Sequence, residues 1–373
     1  MTILDDIETI RKADPSNMYN RIFDLPEQMA DALTLAHRWQ IDADEFSGIK
    51  NIVVVGMGGS AIGGDLTRTY LSSKLLVPFE VCRHYVLPEY VDDETLVIAS
   101  SYSGNTEETI AAVEDALTRK AMMAAISTGG LLGDICELNQ IPMAKLPEGW
   151  QPRAALGYSF IPLVMFLEKI GLAKDVAKEL ETVVASMQKF RDGYIEDQPS
   201  EQNPAKNLAL KIHGRIPIIY SGPTLMDAVA IRFKGQLCEN GKNLAFANHF
   251  AEFNHNELVG WSKTIEPFKD KLVVIILRDA GDHPQIRQRM NIVKDIIRNL
   301  DVEVMEVHSK GAVRLERMFS LIQIADFTSY YLAVLNEVDP TPVEVIEQLK
   351  AQLEDKKAVT TASRDTTMQS PFK

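Results

Sequence analysis

The sequence predicts an α/β protein with two doubly wound, parallel-sheet domains in tandem, preceded by a helical lead-in. From Asn51 onward, short apolar runs of strand length alternate with longer helical segments, as is typical of a parallel sheet covered by helices. A polar stretch with two prolines at 197–204 interrupts this alternation, and the alternation then starts again. The repetition predicts a second domain of the same class as the first.

Apolar periodicity predicts the lead-in at residues 1–48 and the first domain at residues 49–195. Within the lead-in, Asp14–Ser16 breaks a first helical segment, and an amphipathic helix at Leu25–Trp39 is expected to cover the sheet or a partner subunit. The predicted strands of the first domain are Ile52–Val55, Phe79–Cys82, Leu96–Ser100, Met122–Ser127 and Pro142–Lys145. Its predicted helices are Ala61–Ser72, Thr106–Lys120, Leu131–Leu138, Ile161–Ile170 and Asp175–Phe190.

The same pattern predicts a second domain at residues 196–350, followed by a mobile polar tail at 351–373. Its predicted strands are Ile216–Tyr220, Lys271–Leu277 and Val302–Val307. Its predicted helices are Ala205–His213, Asp227–Asn240, Gln285–Leu300 and Val313–Glu337. The second half therefore repeats the order of the first, with fewer glycines at its first turn.

Composition excludes several classes of function for this chain of 373 residues. A net charge of −13 argues against a nucleic-acid partner, because phosphate backbones require clustered Lys and Arg. Three scattered cysteines lack C-x-x-C spacing and indicate a reducing compartment. No apolar run is as long as a membrane span, and the acidic N-terminus does not resemble a signal peptide. We therefore expect a cytoplasmic protein without a membrane or nucleic-acid partner.

A glycine-rich stretch, Gly56-Met-Gly58-Gly59-Ser60-Ala-Ile-Gly-Gly, follows the first predicted strand. Glycine permits positive φ and close approach of a ligand, and a helix N-terminus favours an anion. No Gly-Lys-Ser/Thr closes a Walker A loop, and no acidic residue ends the second strand as a nicotinamide site would require. The stretch therefore predicts an anion or sugar-phosphate site, and a glycine turn that serves only packing is the alternative.

A second polar loop, Ser101-Tyr-Ser103-Gly-Asn105-Thr106, follows the third predicted strand. Hydroxyls and backbone N–H groups together bind phosphate without a fixed positive charge. Because parallel strands end at the same edge of a sheet, this loop and the glycine loop are expected to form one pocket. Helix capping by Asn105 or Thr106 is the alternative explanation.

The densest cluster of chemically active residues runs from Phe233 to Glu257. A carboxylate at the end of a helix, as at Glu239, is suited to act as a general base. His255 lies between two asparagines, which does not favour a Ser–His–Asp triad. A metal site formed by His249, Glu252, His255 and Glu257 is a competing hypothesis, although these residues lack His-Glu-x-x-His order.

Two isolated cations are further candidates for an anion-stabilising role. Arg153 lies in a loop rich in proline and glycine, and Lys310 follows the strand Val302–Val307 at the predicted ligand side of the sheet. Each could neutralise a substrate oxygen anion. A lone loop arginine or lysine is more often only solvated, so both interpretations stay open on the residues alone.

Together, Val-Gly-Met-Gly-Gly-Ser-Ala-Ile-Gly-Gly-Asp, Ser-Tyr-Ser-Gly-Asn-Thr-Glu-Glu-Thr and the Glu-Asn … Phe-Asn-His-Asn-Glu segment resemble the bifunctional phosphoglucose/phosphomannose isomerases. That family consists of two sugar isomerase (SIS) domains of flavodoxin-like topology, and the resemblance covers roughly residues 45 to 350. It implies interconversion of glucose 6-phosphate and mannose 6-phosphate with fructose 6-phosphate through a cis-enediol, in glycolysis and gluconeogenesis. It also implies a homodimer that needs no metal or other cofactor.

The resemblance assigns roles to individual residues of this sequence. It implies that Glu239 moves a proton between carbons 2 and 1, that Arg153 stabilises the enediolate, and that His255 of the neighbouring subunit and Lys310 open the sugar ring. It implies that the first substrate loop contains Gly58, Gly59 and Ser60, and that the phosphate is bound by Ser101, Ser103 and Thr106.

Two other classes of function remain as alternatives. A non-catalytic sugar-phosphate regulator with the same fold would keep Ser101, Ser103 and Thr106 but would not need Glu239 and His255. The isomerase half of a glutamine-dependent amidotransferase would be joined to an N-terminal domain with a cysteine nucleophile, and the sequence has no such domain. The joint presence of Glu239 and His255 favours the isomerase.

Overall fold

The computed structural model describes residues 2–353 of the chain. The lead-in contains α1 (Ile7–Lys12), α2 (Met18–Phe23) and α3 (Leu25–Arg38). The first α/β unit follows, with β1 (Asn51–Val55), α4 (Gly58–Leu71), β2 (Phe79–Cys82), β3 (Thr95–Ser100), α5 (Glu107–Thr118), β4 (Met122–Ser127), α6 (Gly130–Asn139), β5 (Met143–Lys145), α7 (Leu156–Lys169) and α8 (Val176–Arg191).

The second α/β unit contains α9 (Pro204–Ile212), β6 (Ile216–Ser221), α10 (Asp227–Glu239), β7 (Phe246–His249), β8 (Leu272–Arg278), α11 (Pro284–Arg298), β9 (Glu303–His308) and α12 (Arg314–Leu335). Residues 344–353 are also helical, so a helix extends past residue 350. The tail that is predicted to be mobile spans residues 351–373, of which 354–373 lie outside the described part of the chain.

Both sheets are parallel throughout. The first sheet has the strand order β2-β1-β3-β4-β5, and the second has the order β7-β6-β8-β9. The second order repeats the first without a fifth strand, and 2-1-3-4-5 is the flavodoxin-like order. The predicted fold class, two tandem doubly wound units after a helical lead-in, is therefore confirmed.

One continuous hydrophobic core joins the two units. It includes Val54 and Ile98 on the inner face of the first sheet and Ile275 and Leu277 on that of the second. Between them lie α7 and α12, whose residues are almost all buried. By length and composition α12 could cross a membrane, but its whole apolar stretch is buried inside the protein, as in a core helix. The outer faces of the sheets form two smaller cores.

The lead-in helix α3 packs against α7 and α8 and thus covers the central helices of the core. Gln28 connects it to the segment before α7, since its Nε2 donates to the Ala154 carbonyl at 2.8 Å and its Oε1 accepts from the Gly157 N–H at 2.7 Å. The predicted helix thus packs onto α7 and α8 of its own chain rather than directly onto a sheet, and its contact with a partner subunit stays a prediction.

Two stretches differ from the predicted elements for identifiable reasons. β7 is absent from the prediction because it is a short edge strand with Phe246 and His249 exposed, so it lacks a buried apolar run. α7 begins at Leu156 rather than Ile161, because Gly157, which belonged to the predicted proline- and glycine-rich loop, lies inside the helix. The glycine lets the backbone approach Gln28, whose Oε1 would be only 2.9 Å from an added Cβ.

Candidate active site

The glycine loop is shorter than predicted, because α4 begins at Gly58 rather than at Ala61. Gly59 therefore lies inside the first turn, where a Cβ would be 2.5 Å from the Pro152 carbonyl oxygen and 3.1 Å from the Arg153 nitrogen. These distances leave no space for a side chain. Glycine at position 59 thus allows the segment that carries Arg153 to lie directly on the N-terminus of α4.

We expect Gly59→Ala to destabilise the protein by about 1–3 kcal/mol and to reduce turnover, because the methyl group would displace Pro152 and Arg153. Gly133→Ala is a matched control in α6, where the nearest side-chain atom is 3.8 Å from an added Cβ. The control should leave stability unchanged or raise it by up to about 1 kcal/mol. Urea denaturation measures both, and equal midpoints for wild type and Gly59→Ala would contradict this packing.

Arg153 is buried, with a side chain 5% exposed, and not solvated as a lone loop arginine usually is. Its Nε donates to Asn240 Oδ1 at 2.6 Å, and its Nη2 donates to the carbonyl oxygens of Pro340 and Thr341 at 2.7 Å each. Burial lowers the pKa of Arg153, and the negative charge of Glu239 opposes that shift. These three acceptors thus fix the guanidinium of Arg153 in one orientation.

The remaining nitrogen of Arg153 faces the carboxylate of Glu239. The distance from Nη1 to Oε2 is 3.7 Å, and the Glu239 side chain is 35% exposed at the end of α10. Both residues line a cavity of about 180 Å³ together with Gly58 and Gly59. A carboxylate and a fixed cation at this distance can act on neighbouring atoms of one substrate, since a base and an oxyanion partner must face the same carbon–oxygen unit.

The hydroxyl-rich loop after β3 contacts the glycine loop. The Tyr102 N–H donates to Ser60 Oγ at 3.1 Å, and the hydroxyls of Ser101 and Thr106 are 2.9 Å apart. Thr106 occupies the N-cap of α5, but its side chain makes no capping bond, which contradicts capping as its function. The N-terminus of α5 therefore lies beside these hydroxyls, as an anion site requires.

Not every predicted residue lies at the Arg153–Glu239 cavity. Gly58 and Gly59 line this cavity. The predicted residues of the two loops that do not line it are Ser60, Ser101, Ser103 and Thr106. Lys310 is exposed after β9, where its Nζ is 3.2 Å from the Tyr194 hydroxyl. His255 is also exposed and does not line this cavity. Within residues 2–353 of one chain, the structure therefore does not bring these two residues to Glu239.

The four residues of the competing metal hypothesis do not form a metal-binding group within residues 2–353. The Glu257 carboxylate instead accepts from the Tyr220 hydroxyl and, at 2.6 Å, from Asn248 Nδ2. Glu252 accepts from Asn256 Nδ2 at 3.1 Å. These carboxylates are thus used to order the 246–257 segment.

Five further polar residues near the cavity were not predicted as site residues. Arg83, Arg232, Lys234 and Gln236 line it, and Lys242 lies behind Glu239, donating to the Glu239 carbonyl at 2.7 Å. Burial and the nearby Arg153 lower the pKa of Lys242 to about 8. The sequence contains a signal for Arg232 and Gln236. Arg232, Gln236 and Glu239 are separated by four and three residues, which places them on one face of a helix.

Comparison with known proteins places this site in a family. The family model for the bacterial phospho-glucose isomerase C-terminal SIS domain matches residues 201–353, and that for the SIS domain matches residues 45–139. A bifunctional phosphoglucose/phosphomannose isomerase of Caldicellulosiruptor bescii is 44% identical, over 90% of this chain and 98% of the relative. The chain belongs to the bifunctional phosphoglucose/phosphomannose isomerase family. The expectation from the sequence motifs is confirmed.

More distant members of this family and of the fold extend the comparison. A bifunctional phosphoglucose/phosphomannose isomerase of Aquifex aeolicus is 34% identical, over 84% of this chain and 94% of its own. The crystal structure of a hypothetical protein from Thermus thermophilus superposes with a TM-score of 0.75 at 16% identity, covering 94% of each chain. The latter similarity concerns the fold alone.

Proposed function

We propose that this protein is an isomerase that interconverts glucose 6-phosphate and mannose 6-phosphate with fructose 6-phosphate. The observation that supports this most is the Nη1 of Arg153, held 3.7 Å from the Glu239 carboxylate in one cavity. Family membership supports the substrate class, since relatives that share nearly their whole length with this chain carry that activity in their names. The regulator hypothesis does not explain a base and a cation arranged in this way.

In the proposed reaction, Glu239 removes the proton from carbon 2 of the open-chain aldose phosphate. The electron pair moves to form the carbon 1–carbon 2 double bond, and the carbonyl oxygen takes up negative charge. Arg153 stabilises that charge, because its guanidinium is already fixed by Asn240 and two backbone carbonyls. The hydroxyl proton on oxygen 2 moves to oxygen 1, and return of the proton from Glu239 to carbon 1 gives the ketose. Glu239 thus carries the carbon-bound proton, and the second proton passes between the two substrate oxygens.

The phosphate is assigned to the loop at 101–106, where it would position the sugar without reacting. Ring opening is assigned to His255 and Lys310. Both side chains are exposed on this chain, which supports a homodimer in which His255 serves the site of the partner subunit. We also place the reaction in the cytoplasm, in glycolysis and gluconeogenesis. Three free cysteines in the described chain agree with a reducing compartment.

An enzyme-coupled assay with each aldose phosphate, run with and without EDTA, tests this function. We expect turnover of both substrates and no loss with the chelator. Activity that EDTA removes and zinc restores would contradict the metal-independent mechanism. Absence of turnover with both substrates, together with retained sugar-phosphate binding, would favour the regulator.

The phosphate assignment predicts that Thr106→Val lowers kcat/KM roughly tenfold and weakens inhibition by inorganic phosphate, because one hydroxyl to a charged ligand is lost. Helix stability should not change, since the Thr106 side chain does not cap α5. Thr118→Val in the same helix is the matched control, because that hydroxyl bonds only the Glu114 carbonyl on the exposed surface. Equal phosphate inhibition of both variants would mean that the phosphate does not bind at this loop.

A further inference from the structure

Helix α10 presents a polar stripe to the cavity that contains Glu239. Arg232, Gln236 and Glu239 are spaced by four and three residues and line the same cavity as Arg153. The Arg232 side chain is only 4% exposed. A buried guanidinium is retained only where its charge and its N–H donors find partners, because desolvation is costly.

Two of the partners of Arg232 come from outside α10. Arg232 Nη2 donates to Asp326 Oδ2 on α12 at 2.7 Å, and Nη1 donates to the Arg153 carbonyl at 3.1 Å. Gln236 Nε2 donates to the other oxygen of Asp326 at 2.8 Å. The Asp326 carboxylate thus holds both cavity-facing side chains of the stripe in place.

These contacts leave donors of Arg232 unused. A guanidinium has five N–H groups, whereas the two bonds above use two of them. Within residues 2–353, the Nε is a further donor without an acceptor, but this atom is itself buried. The spare N–H groups that can serve a ligand are therefore those of Nη1 and Nη2, since the side chain lines the cavity.

We propose that Arg232 is a further substrate-binding residue, which donates hydrogen bonds to sugar hydroxyls beyond the two reacting carbons, with Asp326 and Gln236 as positioning residues. Asp326 neutralises the charge of Arg232, so the pair suits uncharged hydroxyl oxygens better than the phosphate. Its location agrees, because Arg232 lies two turns of α10 before Glu239, on the cavity side where α4 begins. This inference rests on the proposed isomerase function.

Two probes distinguish contacts to the sugar hydroxyls from contacts to the phosphate. Sorbitol 6-phosphate carries the hydroxyls of the open-chain substrate, whereas inorganic phosphate can occupy only the phosphate position. For Arg232→Gln we expect affinity for sorbitol 6-phosphate, measured by calorimetric titration, to fall roughly 10- to 100-fold. Affinity for inorganic phosphate should stay within about twofold of wild type. A merely structural role for Arg232 would change both affinities or neither.

Three further variants keep the test decisive if Arg232→Gln does not fold. Arg232→Lys retains a charge for Asp326 but loses the planar fork, so the same selective loss is expected. Asp326→Asn should raise KM for fructose 6-phosphate more than it lowers kcat, because it loosens a binding residue. Arg68→Gln is the matched control, since Arg68 pairs with Asp227 at the other end of α10, at 3.1 Å, outside the cavity.

The outcomes distinguish this inference from the proposed function. Wild-type turnover combined with unchanged sorbitol 6-phosphate affinity in both Arg232 variants would overturn the inference alone. If the wild type turns over neither aldose phosphate, the isomerase proposal fails. The two titrations still decide whether Arg232 binds the sugar, because they require no catalysis.

Discussion

Glu239→Gln is expected to lower kcat for both aldose phosphates by roughly 10²- to 10⁴-fold, the contribution of a positioned general base. The amide keeps the size of the side chain but cannot accept a proton from carbon 2. Because the phosphate and hydroxyl contacts lie elsewhere in the site, affinity for sorbitol 6-phosphate should stay within a few-fold of wild type. A stopped-flow or coupled assay gives kcat, and calorimetric titration gives the affinity.

Glu181→Gln is the matched control for this result. Glu181 is an exposed carboxylate on α8, and it does not line the Arg153 cavity. Its removal changes the net charge of the protein by the same amount as Glu239→Gln. Turnover in Glu181→Gln should therefore equal that of wild type. If Glu239→Gln retained more than a tenth of wild-type kcat, another residue would have to be the base.

Arg153→Lys is expected to have the second largest effect, a loss in kcat of roughly 10²- to 10³-fold. Lysine keeps a positive charge, but its single ammonium cannot bond Asn240, Pro340 and Thr341 while also facing the substrate oxygen. Unsatisfied buried carbonyls should also reduce stability by about 1–3 kcal/mol. Steady-state kinetics and urea denaturation, run on the same preparation, measure the two effects.

Asn240→Ala separates anchoring of Arg153 from its chemistry. This variant removes one acceptor of the guanidinium and a bond to Ser329 Oγ, but it leaves Arg153 in the cavity. Its kcat should fall by about tenfold, clearly less than in Arg153→Lys, while its loss of stability should be similar. Equal kcat losses in both variants would contradict a direct role of the guanidinium, because its anchoring alone would then account for the whole effect.

Most strands could be predicted from the sequence because a parallel sheet buried on both faces requires short runs of β-branched and other apolar residues. Thr95–Ser100 is buried at every position, and the strand predicted there differs by one residue. Such apolar runs can be recognised as strands from the local sequence alone, without knowledge of the strands beside them. β7 carries none, since its sequence Phe-Ala-Asn-His is half exposed at a sheet edge and is ordered only by pairing with β6.

The glycine loop could be located from the sequence but not interpreted completely. Its glycines suggested a phosphate turn, yet Gly63 and Gly64 lie inside α4 and serve packing. An added Cβ at Gly63 would be 2.9 Å from Ser159 Oγ, and one at Gly64 would be 3.0 Å from Val54 Cγ1. Only the tertiary structure distinguishes a glycine that admits a ligand from one that admits a neighbouring helix.

The environment of Arg153 could not be predicted from local sequence. Its acceptors are 87 to 188 residues away along the chain, so nothing beside it indicated burial. Resemblance to a family suggested its role, and the fold supplies the physical basis by packing Pro152 and Arg153 onto Gly59. The roles of His255 and Lys310 stay predictions, since neither residue lines the Glu239 cavity and His255 is expected to act in a partner subunit.

Deuterium incorporation from D₂O, followed by NMR during many turnovers, tests proton transfer by Glu239 most directly. Wild-type enzyme is expected to introduce deuterium at carbon 1 of fructose 6-phosphate and at carbon 2 of the aldose phosphates, whereas Glu239→Gln is expected to introduce none at either position. Isomerisation with the substrate hydrogen fully retained, or exchange that survives in Glu239→Gln, would contradict proton transfer by Glu239.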